Sequence, residues 1–134
     1  ICKLEAQWWA DGHGGDFSKI PAKDWRWNLF IRTPDFVKPE ELDNAVELLL
    51  KKGKATHVKQ VRLESFTEGM CVQMLHVGPY EKECETLAVM EDFAEEQGYA
   101  FSGLHHDIYL SDPRRIPPER LKTIIRRPVT KIKT

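Results

Sequence analysis

The sequence predicts an α+β fold, an antiparallel sheet carrying two helices on one face. Three observations support it. Short stretches such as CKLEAQWW and WRWNLFIRTP alternate apolar and polar residues, and two longer stretches repeat apolar residues at helical spacing. Prolines and acids open the helical stretches and glycines close them, so that strands and helices follow one another in near-regular order.

The first alternation, through Leu4, Ala6 and Trp8, reads as a strand, and DGHGGDFSKIPAKD after it reads as a loop. A second strand follows, with Trp25, Trp27, Leu29 and Ile31 on one face and Arg26, Asn28, Phe30 and Arg32 on the other, expected to pair antiparallel with the first. From Pro39, Leu42, Ala45, Val46, Leu49 and Leu50 recur at helical spacing until lysines and Gly53 end the run. Residues 58–66 and 70–77, joined by the tight TEG turn, read as a hairpin. A second helix begins at the next proline and acids, with Cys84, Leu87, Met90, Phe93 and Ala94 on one stripe, and stops at Gly98. HHDIYLSDP then reads as a strand, RRIPPERLK as a turn, and TIIRRPV as a short strand whose proline suits a sheet edge. The two helical stretches echo each other, each running from a strand end through a proline into an amphipathic helix that ends in glycine.

With 134 residues the chain fits one domain able to bury a single core. Lys and Arg total 20 against 21 acids, a balance that gives no electrostatic reason to expect nucleic acid or an anionic membrane as partner. Cys2, Cys71 and Cys84 have no CxxC or metal-site spacing, which argues against a disulfide framework or zinc centre and for a cytoplasmic protein. The sequence has no apolar run of transmembrane length and no signal-like start. It opens at Ile1, almost directly in strand-like sequence, so a segment upstream is expected to be missing.

Four tryptophans in so small a domain raise the question of a ligand. Each indole buries roughly 150–250 Å² and its N–H needs a partner, so at least two are expected to be plain core packing. Trp8 and Trp9 are sequence neighbours on a strand and point to opposite faces, whereas Trp25 and Trp27 share one. With one of the first pair they would wall an apolar cleft on the sheet face away from the helices, suited to a planar aromatic ligand or a lipophilic cation.

Asp107, Tyr109 and Ser111 share a strand face. A carboxylate inside an aromatic cleft would be poorly solvated and would act as a base on water or as the counter-charge to a cation, although the sequence alone favours an exposed or salt-bridged Asp107 near a strand end. Phe66 and Glu64 share a face and are within possible reach of that cleft, Glu64 more simply as a surface residue. His105 and His106 diverge as strand neighbours, so no metal site is expected. The glycines of DGHGGD match no dinucleotide fingerprint, and neither a phosphate loop, a nucleophile elbow, HExxH nor a helix-turn-helix pattern occurs. The basic tail RLKTIIRRPVTKIKT reads as a solvated edge.

The blocks HVGPYEKECETLAVMEDFAEEQGY and HHDIYLSDPRRIPPERLKTIIRRPV resemble the C-terminal half of the GyrI-like small-molecule-binding proteins. WWADG, WRWNLFIRTPDFV and EGMCVQMLHVGPY resemble a stand-alone subgroup of that family, the likeness running over residues 4–129. The resemblance implies two βαββ units about a pseudo-twofold (a SOUL-type arrangement) with a ligand cleft between them. It also implies binding of bulky lipophilic, often cationic, xenobiotics; the subgroup includes hydrolases of cyclopropane-bearing, DNA-alkylating natural products of the yatakemycin and duocarmycin type. Carried onto this sequence, the aromatic cage would draw on Trp8 or Trp9, Trp25 and Trp27, with Tyr80 of the GPY block and Tyr109 of the IYLSDP block. The family's acid in the HH-acid-IYLSDP block is normally Glu; here it is Asp107, one methylene shorter. As a hydrolase the chain would use Asp107 to position water and Tyr109 to assist, with no cofactor and no metal.

Family members carry a strand and helix before the WW region. This chain starts after them, so the Pro39 helix, a lost segment or a second copy in a homodimer is expected to complete the cleft. A non-catalytic drug-sensing or sequestering module and a gyrase-contacting interaction protein are the alternative readings.

Overall fold

The computed structural model describes residues 2–15, 17, 19–53 and 56–133. Their strands are β1 (Glu5–Ala10), β2 (Trp25–Phe30), β3 (Cys71–Val77), β4 (Tyr99–Phe101), β5 (His105–Tyr109) and β6 (Lys122–Lys131). The helices are α1 (Pro39–Lys51) and α2 (Glu83–Glu96). The strands form one open antiparallel sheet in the order β2-β1-β5-β6-β3, with β4 paired to the far end of β6. The α+β architecture read from the sequence is the one found.

The chain divides into two compact units, Arg32–Thr67 as one, and Ile1–Ile31 with Glu68–Thr134 as the other. The larger unit holds the sheet and α2, which packs against β3 and β4. Register fixes which side chains share a face, because directly paired residues project the same way. Ala6 pairs with Leu29 and Asp107, and Trp8 with Trp27 and His105. Asp107 in turn pairs with Ile125, and Ile125 with Met74. The alternation in β6 is strict: Thr123, Ile125, Arg127 and Val129 are buried, and the residues between them are less so. Ile125, Met90, Ala94 and Ala6 form the centre of the core.

The structure corrects several expectations. Residues 58–66 contain no strand: Thr56–Gln60 is a single 3₁₀ segment and the chain from 61 to 69 is irregular. Alternation yields a strand only where a neighbour supplies a ladder, and β3 takes its partner from β6. TIIRRPV is part of a ten-residue strand inside the sheet rather than at its edge. Pro128 is tolerated because it lies beyond the last residue of β6 that pairs with β5, Arg126, so the missing N–H breaks no bond of that ladder. The turn before β5 fits over this proline through Gly103, which has φ +64° and would bring a Cβ within 2.8 Å of Pro128 Cγ. The helical stripe of α2 is also rotated from the expected one. Glu83, Met90 and Ala94 are buried, while Cys84 and Phe93 are exposed.

In the smaller unit α1 opens as its sequence predicts: Pro39 starts the helix, and the Lys38 backbone N–H donates to Glu41 Oε2 at 2.7 Å. No residue of α1 is fully buried. Its apolar side, with Leu42, Val46 and Leu50, lines a shallow groove together with Val61.

Candidate functional site

The residues that place the site begin at the end of β3. His76, buried, bonds through Nδ1 to Thr86 Oγ1 at 2.7 Å and through Nε2 to the Pro79 carbonyl at 2.9 Å, fixing the GPY turn and the first turn of α2 against the strand. Glu83, the first residue of α2, is thereby turned inward over β5 instead of out to solvent.

There it meets His105 and Asp107. His105 Nε2 lies 3.2 Å from Glu83 Oε1 and 2.8 Å from Asp107 Oδ1, and all three residues are buried. The Tyr109 hydroxyl donates to Asp107 Oδ2 at 3.5 Å, the outer limit of a hydrogen bond, and accepts from Trp8 Nε1 at 3.2 Å. A polar line thus runs from Glu83 through His105, Asp107 and Tyr109 to an indole at the cluster's rim.

Around this line stand the aromatic rings. Trp8 lies 5.8 Å from Trp27, and 6.2 Å from Trp25 in an edge contact. Phe17 packs on Trp25 at 4.9 Å and on the His105 ring at 5.5 Å. Tyr80 meets Tyr109 edge-on at 5.9 Å. The rings differ in role. Trp25 is fastened, its Nε1 donating to the carbonyls of Phe17 (3.1 Å) and Ile20 (2.8 Å), so it holds the loop before β2. Trp27, 55% exposed, and Tyr80, 37% exposed, present open surface.

Of the residues singled out from the sequence, Trp8, Trp25, Trp27, Tyr80, Asp107 and Tyr109 come together. Trp9 does not: it pairs with Arg26 and projects to the opposite face. Phe66 lies in the Arg32–Thr67 unit. The gathering sits on the face that carries α2, not on the face away from the helices, because Asp107 and Glu83 converge on the same imidazole. His105, Glu83 and Phe17 were not among the residues picked out from the sequence as site residues. Glu83 sits 22 residues from His105 in the chain, so no local spacing joins them. Only its place as first residue of a helix after GPY hinted at a special role.

The electrostatics follow from burial and proximity. Burial raises the Glu83 carboxyl to about 7, the hydrogen bond from His105 opposing and the charge of Asp107 adding to the rise. Burial alone would lower His105, but its bonds to Asp107 and Glu83 outweigh it and lift the ring to about 9. Burial, then the Asp107 charge, raises the Tyr109 phenol far above the ordinary value, so it stays a donor. The cluster therefore keeps one proton on His105 at neutral pH and gains a second on Glu83 not far below it.

Both Glu83 and His105 titrate higher in the folded chain than in the unfolded one, so the folded state binds more protons between about 4.5 and about 9. Stability is accordingly greatest at the acid end of this window and falls as pH rises, first through the range of Glu83 and then through that of His105. Urea midpoints measured at pH 5, 7 and 9 will fall in that order. Glu83→Gln will flatten the step between pH 5 and 7 and, because Glu83 is one of the two acids that raise His105, will shrink the later one without removing it.

The ligand atoms of Glu83, His105 and Asp107 lie within 4.8 Å of one another, close enough to hold a small cation. His105 Nδ1, which would need an acceptor behind a metal-bound ring, has no hydrogen-bond partner among the described residues.

Residues 28–130 match the model of the GyrI-like small molecule binding domain. Three solved structures from Listeria innocua are similar to this chain, each over 97% of its length. An uncharacterized conserved protein is 43% identical with a TM-score of 0.86 and 64% of its own chain covered. Two hydrolase structures are each 41% identical, with TM-scores of 0.83 and 0.84 and 63% and 64% of their chains covered. The chain thus spans less than two thirds of the length of the solved proteins it matches. No curated protein matches it. No helix among the described residues is long and apolar enough to cross a membrane.

Proposed function

The chain belongs to the GyrI-like small-molecule-binding family, and from that premise we propose that it takes flat, lipophilic aromatic molecules against Trp8, Trp27 and Tyr80 and adds water to those that carry a strained cyclopropane. The observation that carries this reading is one buried carboxylate, Asp107, held by His105 on one oxygen and by Tyr109 on the other, beside an open aromatic wall. Stacking on the indoles places the ligand, and Asp107 takes a proton from water as its oxygen bonds to the ring carbon. The ring C–C bond breaks, its electron pair passes into the conjugated carbonyl, and a phenol such as Tyr109 donates a hydrogen bond to the oxygen where charge collects. The two hydrolases among the similar structures support a hydrolytic role.

A second reading is capture without turnover, favoured by the cluster's two buried acids for one imidazole. That excess negative charge suits a lipophilic cation.

The deciding measurement is product formed from a duocarmycin-type cyclopropane compound: product in molar excess over protein supports hydrolysis, and binding without product supports capture. Affinity is followed through tryptophan fluorescence. Trp27→Ala will weaken binding about 10-fold, the loss of one stacking contact of roughly 1–1.5 kcal/mol, with an unchanged melting temperature. Trp9→Phe, on the other face, will leave affinity unaltered. Equal affinities in Trp27→Ala and the wild type would remove the aromatic wall from the reading.

A further inference from the structure

The RRIPPERLK turn between β5 and β6 plays no part in the site above, though its backbone is closely tied. Asp112 holds its start: the Arg114 N–H donates to Asp112 Oδ1 at 2.9 Å, and the N–H groups of Arg115 and Ile116 donate to the Asp112 carbonyl at 3.0 Å each. Pro117 and Pro118 then stiffen the chain into a short 3₁₀ turn, Pro118–Arg120, in which the Arg120 N–H donates to the Pro117 carbonyl at 2.9 Å. The Leu121 carbonyl accepts from the Gly78 N–H at 2.9 Å. The Lys122 N–H donates to Ser111 Oγ at 3.0 Å, and the Lys122 carbonyl accepts from the Leu110 N–H at 3.0 Å. The end of β3, the chain leaving β5 and the start of β6 are thereby joined at one place.

Between them lies a partly open groove of about 420 Å³, lined by Val77, Ser111, Ile116, Arg120 and Lys122. That volume suits a small molecule. The groove is separate from the aromatic site. Val77 pairs with Lys122, one step beyond the pair of His76 with Thr123, and His76 faces α2 through Thr86, so Val77 and Lys122 project to the other face of the sheet.

The lining combines two chemistries. Val77, 55% exposed, and Ile116 give an apolar floor that the fold leaves uncovered. The rim is cationic. Arg114 and Arg115 of the same turn are paired with Asp112, at 3.0 and 4.0 Å, whereas Arg120 and Lys122 have no ion-pair partner among the described residues. No acidic side chain among the described residues lines the groove. Ser111 adds a donor: its Oγ already accepts from the Lys122 backbone, which leaves its O–H to donate to a ligand oxygen. An apolar floor under two cations and a hydroxyl is complementary to a hydrocarbon or aromatic body that carries one carboxylate, whose two oxygens match the fork of a guanidinium. A lipophilic cation is repelled here.

We propose that this groove is a second ligand site, taking small amphipathic carboxylates free in solution, with the apolar body on Val77 and Ile116 and the carboxylate between Arg120, Lys122 and the Ser111 hydroxyl.

Titration of the whole chain with naphthalene-2-carboxylate, followed in ¹H–¹⁵N spectra, tests the site, with 2-naphthylmethanol as the uncharged counterpart. The amides of Val77, Ser111, Ile116 and Lys122 will shift and saturate with the carboxylate. The alcohol will bind about 10-fold more weakly, since it offers no charge to Arg120 and Lys122. Arg120→Gln combined with Lys122→Gln, both exposed positions, will weaken the carboxylate by about 10-fold, and Trp27→Ala will leave it unaltered. Equal affinities for the carboxylate and the alcohol would overturn the proposal, as would full affinity in the double variant. So would shifts centred on Trp8, Trp27 and Tyr80 that vanish in Trp27→Ala, because the carboxylate would then be using the aromatic wall. If the double variant does not fold, Arg120→Gln alone is read in the same way, and an undiminished affinity there overturns the site equally.

Discussion

Asp107→Asn will abolish water addition to a cyclopropane substrate, lowering turnover by about 10²–10⁴-fold, while neutral aromatic ligands bind as before. Asn keeps the shape of Asp and an oxygen able to accept from His105, with an amide NH2 in place of the oxygen that accepts from Tyr109, and it cannot take a proton from water. The loss falls on the chemical step and not on stacking, so rate and affinity separate. A second substitution sharpens the test. Asp107→Glu keeps a carboxylate able to take the proton and extends it by one methylene, and it will retain a rate well above that of Asp107→Asn. Single-turnover product analysis with the two variants checks both. An Asp107→Asn protein that turns over at the wild-type rate would mean that the buried carboxylate is not the base.

The largest effect on stability will come from His105→Ala. The imidazole is the single positive group between Glu83 and Asp107, and without it two buried carboxylates face each other. Removing one partner from a buried, hydrogen-bonded charge cluster costs about 3–5 kcal/mol, because the remaining charge stays out of water. Urea unfolding at pH 7 will register that cost. The effect is not additive: Glu83→Ala combined with His105→Ala removes the repulsion as well, so the double variant will be less destabilised than the sum of the singles. Strict additivity would show that the pair does not interact across the interface between α2 and β5.

Much of the fold was legible because its signals are local. The alternation through Leu4, Ala6 and Trp8 and through Trp25, Trp27, Leu29 and Ile31 pointed to two strands, and the prolines and acids before α1 and α2 to the helix starts. The three residues of β4 are too few to show a period. Residues 58–66 showed one that no neighbouring strand uses. The site was half legible. Asp107 and Tyr109 could be placed on one face by counting along β5, and Trp25 and Trp27 likewise along β2. The partners that define their chemistry could not, because Glu83 comes from another element and its inward turn is set by His76 and the GPY bend. The side of the sheet that carries the helix is a matter of handedness and packing. Periodicity is blind to it.

The central seam of the sheet joins β1 to β5, so that Trp8 reaches Tyr109 across 101 residues of chain. Nearly the whole polypeptide must therefore be in hand before that seam can close, and closing so long a loop is slow. Until then β1 and β2 form at best a lone two-stranded hairpin with bare indoles, a marginal and sticky species. Refolding is thus expected to be slow for a domain of this size, and its yield to drop as protein concentration rises.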